Sequence, residues 1–314
     1  MSEKVEKTKI LVEVLGEYYT EGNAQLLFRC PKCEHHKRKL SVNVEKNLFK
    51  CWVCDYSGRN IYRLVKRYGS YTNKREWAKF GLQTEIKDFN DKLFGLVEEE
   101  AEESIKLPKN FISLVNKKLP STASAPLNYL ESRGITKADI TRWKIGYCSI
   151  GKYGGRVIIP SFSTSGAVNY FVSRSYDNNW KKYLNPKAGR NIIFNDLYLD
   201  FDEDLVLVEG AFDAIKAGEN SVPLLGSTLT ETSPLFQKIV GNDTAVYLAL
   251  DSDASKKANK IIKLFLKYDI ELFRIDCSPY NDVGEMPKHV FKDKKQTAVF
   301  LNSNNYLLNK VMGI

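Results

Sequence analysis

Carboxylates stand where two apolar runs stop. Leu205-Val206-Leu207-Val208 ends at Glu209, and Ala245-Val246-Tyr247-Leu248-Ala249-Leu250 ends at Asp251-Ser252-Asp253. Continuous Val and Leu suit strands buried on both faces of a parallel sheet. Ligands of open α/β sheets sit beyond the carboxyl ends of the strands, so Glu209, Asp251 and Asp253 are expected to converge at one sheet edge. Three hard oxygen donors with no thiolate or imidazole suit Mg²⁺ or Mn²⁺. Taken singly, each acid could instead cap the next helix, as Asp253 could before Ala254-Ser255-Lys256.

A second metal chemistry lies near the N-terminus. Cys30-x-x-Cys33 and Cys51-x-x-Cys54 are two pairs at zinc-ribbon spacing. Each pair can bite one Zn²⁺ from a tight turn, and two turns complete a tetrahedron with no open position. One structural zinc on Cys30, Cys33, Cys51 and Cys54 is therefore expected. His35 and His36 are read as loop residues, since four cysteines already suffice. Cys148 and Cys277 stand apart in apolar surroundings and read as small buried hydrophobes in a reducing cytoplasm.

The elements that must position these residues follow from pattern. Leu40–Val44 alternates, Glu45-Lys46-Asn47 turns and Leu48-Phe49-Lys50 returns, a hairpin leading into the second cysteine pair. A short helix is predicted over 61–68, stopping before Gly69. Residues 1–75 form the ribbon domain. They carry 16 Lys and Arg against 8 Asp and Glu, so +8 of the chain's +9 lies there. With Lys37, Arg38, Lys39, Lys50, Trp52 and Tyr56 among them, this suggests a polyanion partner, most simply nucleic acid. Residues 76–125 read as a connector, with an acidic run at Glu98–Glu103 and a linker at Pro120–Pro126. Residues 126–202 alternate short helices and strands, including Val157–Phe162 and Val168–Ser173 around Ser165-Gly166. Residues 203–286 alternate strand and helix: strands 205–209, 222–225, 245–250 and 270–277, helices 211–218, 231–240 and 255–268. That order predicts a parallel sheet covered by helices. Residues 287–314 are a C-terminal segment. The fold class is multidomain α/β: a Cys₄ zinc ribbon, an α+β basic subdomain and a parallel α/β sheet. No run of about 18 apolar residues occurs, so no membrane span is expected.

Glu209-Gly210-x-x-Asp213-Ala214, Gly226-Ser227-Thr228 and Asp251-x-Asp253 resemble the signature of the Toprim domain, which DnaG-type primases, topoisomerases and some nucleases share. Cys30-Pro-x-Cys33, Lys39-Leu40-Ser41-Val42 and Phe49-Lys50-Cys51-Trp52-x-Cys54-x-x-Ser57-Gly58 resemble the zinc-binding domain of bacterial and phage DNA primases. Many bacterial members have His where this chain has Cys33. Tyr129-Leu130-Glu131-Ser132-Arg133-Gly134-Ile135, Gly155-Arg156-Val157-Ile158-Ile159-Pro160, Val172-Ser173-Arg174 and Lys182-Tyr183-Leu184-Asn185 resemble the basic subdomain that precedes Toprim in those primases. Topoisomerases and Toprim nucleases lack it.

The resemblance implies a DNA primase: an enzyme making short RNA primers on single-stranded DNA from ribonucleoside triphosphates by two-metal nucleotidyl transfer. Glu209, Asp251 and Asp253 would ligate Mg²⁺ or Mn²⁺, and Asp213 and Asp282 would support them. Glu285 is as well explained as a loop-surface residue. Arg156, Arg174 and Lys182 match the family's basic positions for nucleotide or template. The family's basic stretch before Toprim is replaced by Ile193–Leu197, so one contact is lost or supplied by Lys187 or Arg190. The resemblance also implies a replicative helicase as partner and a cytoplasmic location, that of the host for a phage-type enzyme. No Gly-x-x-x-x-Gly-Lys-Ser/Thr segment occurs, so a P-loop helicase is not expected within the chain. Two other classes stay open: a Toprim nuclease or topoisomerase relative, and a non-catalytic zinc-ribbon protein binding single-stranded DNA.

Overall fold

The computed structural model describes residues 3–21, 25–58, 60–80, 105–177, 180–189, 191–251, 255–302 and 306. The chain divides into two compact units, Met1–Glu98 and Glu99–Ile314.

The first unit opens with α1 (Glu3–Leu15), followed by β1 (Tyr19–Glu21), β2 (Gln25–Phe28), β3 (Leu40–Asn43), β4 (Leu48–Cys51) and β5 (Ser57–Gly58). The strands form an antiparallel sheet in sequential order. The expected hairpin is β3–β4, with Asn43 opposite Leu48. The Asn43 side chain accepts from the Lys46 N–H and holds the turn. Alternation places Leu40, Val42, Phe49 and Cys51 inward, all under a tenth exposed. Two short helices follow, α2 (Tyr62–Tyr68) and α3 (Tyr71–Trp77). The unit continues past residue 75, because Trp77 is buried and its ring meets Phe80 and the Lys7 ammonium.

In the second unit, β6 (Ile112–Ser113) is followed by α4 (Ser124–Ser132), α5 (Lys137–Arg142), β7 (Gly146–Cys148), β8 (Arg156–Phe162) and β9 (Val168–Ser175). These four strands form an antiparallel sheet in sequential order. Residues 120–126 differ from the expected linker. Ser121–Ala123 is a 3₁₀ turn that runs into α4, Ala123 and Pro126 are buried, and Thr122 Oγ1 lies 2.7 Å from the Tyr147 hydroxyl. Pro and Ser open a helix as readily as they fill a linker. The acidic run Glu98–Glu103 lies outside the described residues.

The second sheet is built from β10 (Leu205–Val208), α6 (Ala211–Ala217), β11 (Ser221–Pro223), α7 (Pro234–Gly241), β12 (Val246–Ala249), α8 (Ser255–Lys267), β13 (Leu272–Arg274), α9 (Lys288–Gln296) and β14 (Val299–Leu301). Its order is β11-β10-β12-β13-β14, with the first four strands parallel and β14 antiparallel to β13. Every residue of β10 and β12 is buried, as their unbroken apolar runs require. The sheet therefore extends beyond residue 286, taking in Val299–Leu301 of the C-terminal segment. The switch in strand order lies between β10 and β12, with both carboxyl ends at one edge. Among the described residues no helix is long and apolar enough to cross a membrane.

Candidate metal centres

The two cysteine pairs sit in matching knuckles. The residue after each second cysteine, Glu34 and Asp55, has positive φ (49° and 56°), which turns the chain back around the sulfurs. The Glu34 N–H closes the first knuckle on the Cys30 carbonyl at 2.9 Å. Cys30 Sγ lies 3.8 Å from Cys54 Sγ, Cys33 Sγ lies 3.9 Å from Cys51 Sγ, and all four fall within 4.8 Å of one another. A tetrahedron with arms of about 2.3 Å has edges of about 3.8 Å, so the spacing is that of a Zn–thiolate site. Burial pushes the Cys30 thiol up and Cys54 up to about 11. Cys51 moves down despite its burial, because the backbone N–H groups of Cys54 and Val53 point at its sulfur. His35 and His36 stack on each other and take no part.

Around the ribbon, Trp52 is 64% exposed with the Lys50 ammonium 4.9 Å from its ring centroid. Tyr19 is 63% exposed beneath the Arg38 guanidinium at 4.3 Å. Phe49 and Tyr56 are core residues instead.

The acidic centre lies past the ends of β10 and β12. One oxygen of Glu209, Oε2, accepts from Lys257 Nζ at 3.2 Å; the other, Oε1, is buried with no hydrogen-bond partner among the described residues. Asp213, 8% exposed, is clamped rather than open. Its Oδ2 accepts from the Gly210 N–H and its Oδ1 from the Gly284 N–H, each at 2.8 Å. It thus ties the turn after Glu209 to the turn that holds Asp282. Burial first, then the Asp282 charge, lifts its carboxyl to about 6; Glu209 adds to the rise and the two N–H bonds oppose it. A side chain at 284 would put its Cβ 2.7 Å from Asp213 Oδ1, so glycine there permits the contact. Asp282 caps its own short turn, accepting from the Glu285 N–H at 2.8 Å, and Glu285 accepts from the Asn281 side chain.

Asp251, half-buried after β12, acts electrostatically on Cys277. Burial first, then Asp251 and Asp276, pushes that thiol up to about 11, with a smaller part from Asp213. Asp253 lies outside the described residues. Among the described residues only the four cysteines bring three or more ligand atoms within metal-binding range. The donors that are present do fit a hard cation: the orphaned Glu209 Oε1 is a buried acceptor awaiting positive charge, with Asp251 on the neighbouring strand end.

The basic residues divide. Arg156, 4% exposed, is turned inward and donates to the carbonyls of Lys181 (2.7 Å) and Lys182 (3.2 Å). Lys182 is exposed, and its carbonyl accepts from the Ser175 N–H. Arg174 donates to the Tyr129 hydroxyl at 3.1 Å and covers the Tyr183 ring at 4.7 Å. Burial first, against the opposing charges of Arg174 and Arg133, pushes the Tyr183 hydroxyl up, and Asp213 adds to the rise. Lys187 is exposed, and Arg190 lies outside the described residues.

Two residues were missed from sequence. Arg133 lies over the rings of Phe212 (4.8 Å) and Tyr129 (5.5 Å). Its i,i+4 spacing from Tyr129 was a usable signal. Lys257 had none, being 48 positions from Glu209.

No protein-family model matches the chain. In sequence it is 24% identical to a DNA primase of Thermotoga maritima, over 90% of this chain and 58% of that protein. It is 24% identical to a DNA primase of Helicobacter pylori, over 77% and 51%. It is 22% identical to a DNA primase of Mycoplasma genitalium, over 96% and 59%. The chain thus spans a little over half the length of these relatives. Its fold is similar to that of a DnaG primase catalytic domain bound to single-stranded DNA, at TM-score 0.51 and 21% identity over 62% of this chain and 77% of the other.

Proposed function

We propose that this chain is a DNA primase of DnaG type, making RNA primers on a single-stranded DNA template in the cytoplasm. The observation that carries the reading is the acidic centre, with Glu209 Oε1 buried and unsatisfied at the switch point of a parallel sheet. Similarity to bacterial primases along both units supports it.

In this reaction the 3′-hydroxyl oxygen of one ribonucleotide bonds to the α-phosphorus of the next. The bond to the pyrophosphate oxygen breaks, and pyrophosphate leaves in line. Glu209, Asp251 and Asp253 would hold Mg²⁺ or Mn²⁺, as a pair of ions. When bound, the ions would activate the attacking oxygen and neutralise charge on the leaving group. Asp213 acts from behind: it fixes the Glu209-Gly210 turn and the Asp282 turn so that the acceptors keep their places. Arg174 and Arg133, which lie over the Tyr183 and Tyr129 rings, would supply fixed cations for nucleotide phosphates. Arg156 serves the same end indirectly, by holding the chain at Lys181 and Lys182. Lys182 is exposed and can meet phosphate.

The zinc ribbon positions the template. Trp52 and Tyr19 offer exposed rings for stacking on unpaired bases, with Lys50 and Arg38 beside them for phosphates. A replicative helicase is the protein partner that the resemblance implies.

Incubation with single-stranded DNA, Mg²⁺ or Mn²⁺ and labelled ribonucleotides tests the reading. RNA oligomers from wild type, lost in Glu209→Gln and lost or misplaced in Cys51→Ser, are expected. Metal-dependent DNA cutting without oligomers would make the chain a Toprim nuclease. DNA binding indifferent to Mg²⁺, with no nucleotide consumed, would make it a binding protein.

A further inference from the structure

Helix α8 starts beside the acidic centre and has two unlike faces. Ile261, Ile262 and Phe265 are buried. Lys256, Lys260 and Lys263 are exposed on the opposite side. At 3.6 residues per turn these three lie within about 60° of arc and span about 10 Å. Lys267 continues the row, but Glu231 neutralises it at 2.7 Å. Among the described residues none of the other three has an ion-pair partner. Lys257, one residue on from the row, turns the other way to Glu209. The row therefore leads away from the reacting centre as an uncompensated line of positive charge.

We infer that Lys256, Lys260 and Lys263 form a track for one phosphate strand of the primer–template hybrid as it leaves the acidic centre. The inference rests on the primase reading above. Three features choose this occupant. The row is of one sign and regular, which suits a polyanion of regular charge spacing. It is carried on a rigid helix, which matches a rigid duplex strand. It has no aromatic side chain among its exposed positions, whereas surfaces built for single strands stack bases on rings. The ribbon, with Trp52 and Tyr19, has the single-strand character that α8 lacks.

The test uses the full chain with Mg²⁺ and a labelled RNA–DNA hybrid of arbitrary sequence, read by fluorescence anisotropy across salt concentrations. A single strand of the same length serves as the second probe. Lys256→Gln/Lys260→Gln/Lys263→Gln is compared with wild type and with the triple Arg variant, which keeps the charge. Each lost duplex phosphate contact lowers the salt slope by about 0.9, so three lower it by about 2.7. Over a fourfold change in salt, from about 50 to about 200 mM, the wild-type advantage on hybrid should shrink roughly 40-fold. The Arg variant should behave as wild type, and the single strand should lose much less.

An unchanged slope on hybrid, or no hybrid binding by wild type, overturns the inference. So does an equal loss on both probes, which would make the row a general anion surface, and so does an Arg variant as weak as the Gln variant. A chain that makes primers but keeps its slope sinks the track alone. One that binds hybrid through these lysines yet makes no primers sinks the primase reading, and with it the track as a primer–template path, leaving only a hybrid-binding row.

Discussion

Asp213→Asn should remove a pH dependence from the stability of the second unit. The Asp213 carboxyl is lifted from 3.8 to about 6 in the fold, by burial first and then by the Asp282 charge. A carboxyl whose folded value lies above its unfolded one binds its proton more tightly when folded. Its contribution to stability is fully present below about 3.8 and is lost as pH rises through about 6. At about 1.4 kcal/mol per pH unit, that rise is worth about 3 kcal/mol. Asparagine has no such titration. The unfolding free energy of wild type minus that of the variant should therefore fall by about 3 kcal/mol from acid to neutral pH. Urea unfolding at a series of pH values measures it, and a ¹³C titration of the Asp213 carboxyl gives the midpoint directly. Saturating Mg²⁺ should shrink the difference, since positive charge beside Glu209 favours ionised Asp213. A difference that stays constant with pH, or a midpoint below 4, would refute the reasoning.

Three further outcomes are expected. Cys51→Ser should release zinc and unfold the ribbon, read by elemental analysis and circular dichroism; full retention of zinc would show that three sulfurs hold it. Lys257→Met removes a cation 3.2 Å from Glu209 Oε2 and should tighten Mn²⁺ binding. At about 1 kcal/mol for a partly exposed pair the gain is about fivefold, read by electron paramagnetic resonance; weaker binding would mean that Lys257 shapes the site rather than competes for it. Arg156→Met removes the buried donor that the Lys181 and Lys182 carbonyls share, of which Lys182 keeps the Ser175 N–H, and should cost about 1–2 kcal/mol in urea unfolding. Wild-type stability with a raised KM for nucleotide would instead give Arg156 a direct ligand contact.

The parallel sheet was legible because β10 and β12 are unbroken apolar runs that only a strand buried on both faces explains. The ribbon was legible because cysteine pairs at that spacing have few other uses. What sequence could not give is direction. Arg156 and Arg174 look alike as basic residues on paired strands, yet one is turned into the protein and the other lies over Tyr183 on the opposite face. They lie on β8 and β9, one residue out of register, with Val157 opposite Arg174, and a one-residue step on a strand reverses the face. Asp213 reads as one more acid until its two backbone donors are seen, and the second comes from Gly284, 71 positions away. The Lys257–Glu209 pair likewise depends on how α8 rolls against the sheet. Residues 120–126 misled because the composition of a helix start and that of a linker overlap.

The margins of the parallel sheet carry a consequence of their own. Among the described residues β11 and β14 close its two sides, each only three residues long, and β11 ends in Pro223, which has no N–H to offer a newcomer. A sheet with long bare margins would recruit strands from other copies wherever many chains gather. Blunted on both sides, this one gives a crowding neighbour almost nothing to pair with. Copies crowded together are then less prone to seed aggregates, and what joins or separates them is left to the charged surfaces.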